Sequence, residues 1–151
     1  MTYNIDNDRL YRLVDEEVSK VADEAYDEDG TSLYDAVRLT DRDRSTIEKF
    51  FDDAFSEFAQ RAFDVVQYVP VDDGQGGQHS DLRFYVPDFD SSMETTFFKE
   101  MDRYVSLYAC AALFRQRRPL LADEYSERWK AAMEKAVRIL KSRKNPSISW
   151  R

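Results

Sequence analysis

Few residues of this chain have a type and spacing suited to chemistry. Its one histidine, His79, falls in the stretch 72–80, which also holds three of the four glycines. An imidazole can serve as a general base near neutral pH, but a single one in such a stretch reads as a solvated loop residue. The one cysteine, Cys110, stands between Ala109 and Ala111 with no histidine beside it to draw off the thiol proton. It reads as a small buried hydrophobe, and one cysteine excludes both an internal disulfide and a thiolate metal cage.

Two loops imitate ligand sites. Gly74-Gln75-Gly76-Gly77 has the glycines of a phosphate cradle, but no Lys-Ser/Thr follows and the next element reads as a strand instead of a helix. Asp27-Glu28-Asp29-Gly30 has the look of a calcium loop. Counted back from Gly30, however, the first and twelfth ligand positions fall on Ala25 and Ala36, and the bidentate glutamate is missing. Asp52, Asp53, Asp72, Asp73, Asp88 and Asp90 are most simply helix caps and solvated faces. A metal–carboxylate enzyme would need Asp72, Asp73, Asp88 and Asp90 to converge. The reading is a non-enzyme without metal or cofactor.

What remains is charge. The 151 residues carry 30 acids and 22 bases, a net of −8, with 42% hydrophobic and 14% aromatic residues. So many aromatics exclude a disordered polyelectrolyte, and the negative sign argues against a general nucleic-acid binder. Residues 1–100 hold 25 acids and 10 bases, whereas residues 101–151 hold 5 and 12. Cations at the end of a last helix suit its negative dipole pole. That accounts for Arg138 and Lys141 but not for Arg143, Lys144 and Arg151, which lie past the last turn with Ile148 and Trp150 among them. A short segment with a tryptophan anchor and cations suits docking on an acidic, grooved surface, such as that of a second copy.

The elements that position these residues are mainly helical. Leu10, Leu13, Val14, Val18, Val21 and Ala25 form one apolar stripe, which ends by Gly30. Residues 32–39 make one or two further turns. Thr40 caps a helix whose stripe runs through Ile47, Phe50, Phe51, Ala54, Phe55, Phe58, Ala62, Phe63 and Val66, and its five phenylalanines mark it as the central packing helix. Residues 65–90 read as a two-stranded hairpin with a long loop over 72–80. Ser91 or Ser92 caps a helix that stops at Arg117-Arg118-Pro119, and a last helix spans 121–141, antiparallel to it. The expected architecture is one mainly α domain over 1–144, a bundle of about four helices with an inserted hairpin. Residues 145–151 form an extended basic tail. No stretch approaches the length of a membrane span, and the N-terminus has no signal-peptide pattern.

This layout resembles small virion proteins of tailed bacteriophages. The likeness lies in Leu39-Thr40-Asp41-Arg42-Asp43-Arg44 leading into a long helix, a hairpin after it, and a helical pair carrying Tyr104-Val105-Ser106-Leu107-Tyr108 and Ala122-Asp123-Glu124-Tyr125. Arg143-Lys144-Asn145-Pro146 closes it. The chain is similar in patterning to head–tail connector and neck proteins. The resemblance implies a structural role at the head–tail junction of a virion after synthesis in the host cytoplasm. The partners implied are copies of the chain in a cyclic ring, portal and tail or neck proteins, and DNA passing through the channel without specific binding; no membrane is involved. The hairpin residues Asp72, Asp73, Gly74, Gly76, Gly77 and His79 would reach a neighbouring layer, and Arg143, Lys144, Ile148, Trp150 and Arg151 would dock on an adjacent subunit. The rival expectation is an acidic phage-encoded adaptor or inhibitor that binds a host partner.

Overall fold

The computed structural model describes residues 1–72 and 78–142; for 68–72 and 78–80 it describes the backbone alone. Three strands and five helices follow in the order β1 (Thr2–Asn4), α1 (Asn7–Asp23), α2 (Tyr34–Val37), α3 (Arg44–Arg61), β2 (Val66–Asp72), β3 (Gln78–Phe84), α4 (Glu94–Arg117) and α5 (Pro119–Lys141). Four long helices with a small antiparallel sheet bear out the mainly α bundle with a hairpin. The sheet, though, has three strands in the order β1-β3-β2.

The helix boundaries follow from local chemistry. The Asp6 carboxylate accepts from the Arg9 N–H at 3.1 Å and starts α1. The Thr40 N–H donates to the Asp43 carboxylate at 2.8 Å, closing a single 3-10 turn over Asp41–Asp43 that leads into α3. Asp90, not Ser91 or Ser92, caps the turn before α4, accepting from the Ser92 N–H at 3.0 Å. Pro119 opens α5, where its missing N–H costs nothing.

The hub of the core is α4, not α3. It packs against α5, α3 and α1, and from Tyr104 to Phe114 only Tyr108 and Ala112 are less than fully buried. Apart from Ser106, whose hydroxyl donates to the Arg103 carbonyl at 3.1 Å, that stretch is apolar or aromatic all round, as a helix covered on every side must be. The α3 stripe is one-sided and faces this hub. It holds through Ile47, Phe51, Ala54, Phe55 and Phe58 but fails at Phe63, which is 80% exposed. The reason is that α3 ends at Arg61 and Ala62 leaves helical geometry, so helical spacing places nothing beyond it.

The unexpected strand β1 pairs with β3 through Thr2↔Arg83, Tyr3↔Leu82 and Asn4↔Asp81. Tyr3 is 2% exposed, and its ring lies 5.7 Å from that of Phe98 and 5.8 Å from that of Phe55. Its hydroxyl donates to Asp102 of α4, which also accepts from Arg9 Nη2 at 3.0 Å. The N-terminus is thus stitched to both α1 and α4, and burial pushes the Tyr3 phenol far above its usual range. On the same face of the sheet, Phe84 meets Phe97 edge-on at 4.9 Å, and Phe58 joins the cluster.

Candidate functional site

The structure accounts for two of the candidates, Cys110 and the Asp27 loop. Cys110 is fully buried, and burial pushes its thiol far up, away from any thiolate. The Asp27 carboxylate is used by its own loop, accepting from the Asp29 N–H at 2.9 Å and the Thr31 N–H at 2.8 Å, while Gly30 takes the left-handed conformation with φ 78°. Among the described residues, no three His, Cys, Asp or Glu side chains gather as metal ligands. No described helix is long and apolar enough to cross a membrane.

The hairpin is more regular than its sequence suggests. β2 and β3 pair in continuous register from Val66↔Phe84 to Asp72↔Gln78. Asp72 therefore belongs to β2, and His79 and Ser80 to β3, not to a loop over 72–80. The β-branched and aromatic residues Val66, Tyr68, Val69 and Val71 suit a strand. Asp73, Gly74, Gly76 and Gly77 lie outside the described residues, as do Arg143, Lys144, Ile148, Trp150 and Arg151. The inner rungs of the hairpin share β3 with β1. Past Asp81, among the described residues, the rungs Pro70↔Ser80, Val71↔His79 and Asp72↔Gln78 have no third strand. The outer half is a two-stranded arm.

The division of charge along the chain is partly cancelled in space. Cations of the C-terminal third pair with acids of the N-terminal body. Arg117 at the end of α4 meets Asp43 at 2.5 Å and donates to the Val37 and Arg38 carbonyls at 3.2 and 2.9 Å. Lys135 of α5 meets Glu100 at 2.9 Å. Burial works against the Asp43 carboxylate, but the Thr40 N–H and the Arg117 guanidinium outweigh it and hold the carboxyl below its usual range. The first pair fastens α4 to the turn before α3 and the second joins α5 to α4, so the two-ended appearance of the sequence is in part internal bonding.

What the sequence does not reveal is a notch at the base of the hairpin. It is a cleft of about 370 Å³ where three distant segments meet: Asp64 and Val65 after α3, Val86 to Asp88 after β3, and Leu140 and Lys141 at the end of α5. The Tyr85 N–H donates to the Val65 carbonyl at 2.8 Å and draws the first two together. Asp88 turns the chain with φ 61°, a conformation that Asp tolerates better than most residues. Phe63 and Tyr85, immediately beside the lining residues in sequence, are 80% and 59% exposed. The result is a hollow with apolar walls, two carboxylates and the Lys141 ammonium at its edge. A second cleft of about 390 Å³ lies between α1, α4 and α5, with Glu16 and Glu17 facing Arg103 and Arg128. Its acids and bases balance, so it selects no ligand charge.

Comparison of the chain with protein-family models, with curated proteins and with solved structures gave no match.

Proposed function

We propose that the chain is a non-enzymatic virion structural protein: a head–tail connector or neck protomer of a tailed bacteriophage, joining portal and tail by oligomerising into a ring. The observation that carries this reading is the arm. A two-stranded ribbon is marginal in water, and the outer rungs of this hairpin have no third strand among the described residues. Such a device gains its support from a neighbour. The body behind it is suited to bearing load, because α4 is enclosed by α1, α3 and α5 and the hairpin base is locked by aromatic rings. In the ring, the helices form the wall, and the arm reaches an adjoining layer or the channel. The acidic balance lets DNA slide past without sticking.

The test is incorporation. An antibody to the chain should label purified phage particles at the head–tail junction. Particles assembled without the chain should retain filled heads and lack joined tails. A chain absent from particles that instead competes with DNA for a host enzyme would refute this reading in favour of an acidic inhibitor.

A further inference from the structure

We infer that the notch at the hairpin base receives the C-terminal segment, residues 143–151, of the neighbouring copy; this rests on the ring reading and names its inter-subunit contact. Three observations lead there. The first is chemical match. The notch offers apolar walls from Val65, Val86 and Leu140, and its two carboxylates, Asp64 and Asp88, outnumber its one cation, Lys141, so it keeps a net negative charge. The segment Arg143-Lys144-Asn145-Pro146-Ser147-Ile148-Ser149-Trp150-Arg151 brings two apolar groups and three cations. A tryptophan seated in a hollow and ringed by charge pairs is the pattern of an interface hot spot.

The second observation is where the segment leaves. It follows Ser142, the residue after Lys141, and Lys141 lines the notch. Donor and receptor thus lie at the same end of the protomer. Neighbours in a cyclic ring are related by rotation about its axis, so equivalent ends sit at equal height. A segment leaving one protomer there meets the same notch on the next. The third is reach. Nine residues extend to about 30 Å, comparable with the spacing of adjacent small domains. Tail and notch are different surfaces, so the contact is heterologous and closes into a ring when the rotation allows.

The test uses full-length chains. Trp150→Ala disables the tail; Asp64→Lys combined with Asp88→Asn disables the notch while respecting the backbone at Asp88. Each variant alone should elute as a monomer where the wild type assembles, and an equimolar mixture should give a dimer through the one intact pair. A labelled peptide of residues 142–151 should bind the Trp150→Ala chain. Replacing the peptide's own tryptophan by alanine should weaken binding about 30-fold. The notch double variant should bind it more weakly as well. Peptide that fails to bind, or binds the notch variant equally well, overturns the assignment. So does a mixture that stays monomeric, which places the segment on its own chain. A wild-type chain that remains monomeric while the peptide binds overturns the ring reading and leaves the notch as the receptor.

Discussion

The joint between sheet and bundle offers the most exacting prediction. Phe97 is fully buried in α4 and meets Phe84 of β3 edge-on at 4.9 Å, Phe98 at 6.0 Å, Phe58 at 6.4 Å and Phe89 at 6.5 Å. Truncating it to alanine removes a ring from a site that rigid neighbours cannot refill, a loss of about 3–5 kcal/mol. Against a typical domain stability of about 5–15 kcal/mol, that leaves little margin. Phe97→Leu and Phe84→Leu are therefore the practical variants. Combined in a double-mutant cycle, they should show a coupling of about 0.5–1.5 kcal/mol for the ring pair. Urea unfolding followed by Trp129 fluorescence in a Trp150→Phe background reads it, since Trp129 packs against the helical core, 5.0 Å from Tyr108 and 5.9 Å from Tyr104. Amide exchange locates it: protection should fall at Val66 and Tyr85 before it falls in α5. A coupling indistinguishable from zero, or exchange rising equally in α5, would refute the claim that these rings hold the hairpin to the bundle.

Other outcomes follow from single contacts. Tyr104→Phe removes the hydroxyl that donates to the Ala54 carbonyl at 2.6 Å and should lower stability by about 1 kcal/mol, read as a reduced urea midpoint. Cys110 should resist thiol alkylation in the native protein at neutral pH and react once urea opens the core; rapid native labelling would contradict its burial. The depressed Asp43 carboxyl stabilises the fold above the unfolded value of about pH 4, and that contribution is lost as pH falls through the lower folded value. Asp43→Asn should therefore flatten the acid limb of the stability profile, and an unchanged limb would mean that the Thr40 and Arg117 contacts to this carboxylate contribute nothing.

The helices were legible because each carries its own pattern. The stripe in α1, Thr40 before α3 and Pro119 at the start of α5 are local signals, and each marks its helix. The choice of hub was legible too, in the unbroken apolar run around Cys110, but it was outweighed by the five phenylalanines of the α3 stripe. Phe63 misled because periodicity carries no information about where a helix stops. β1 is only three residues long, too short to alternate, and it forms because β3 offers an edge and the core offers Tyr3 a pocket. The arm was foreseen in kind, although its strands run farther toward the turn than the glycine-rich stretch suggested. The notch was not legible at all. Its walls come from residues 64–65, 86–88 and 140–141, and nothing local in any of these announces that the fold will join them.

The charge division points outward as well as inward. Arg117 and Lys135 are consumed by internal pairs with Asp43 and Glu100. Asp64 and Asp88 line an open hollow, and the last cations of the chain fall in the segment proposed to fill it. In the proposed ring, the electrostatic attraction between copies would be local to one end of the protomer and would not require opposite poles to meet.

Native mass spectrometry of the wild-type chain across a range of concentrations and salt tests the central claim most directly. The account predicts one dominant closed assembly whose mass is a fixed multiple of the 17.8 kDa protomer, weakened as salt screens the carboxylate–cation contacts. A chain that stays monomeric at every concentration, or a ladder of masses without a preferred multiple, would contradict it.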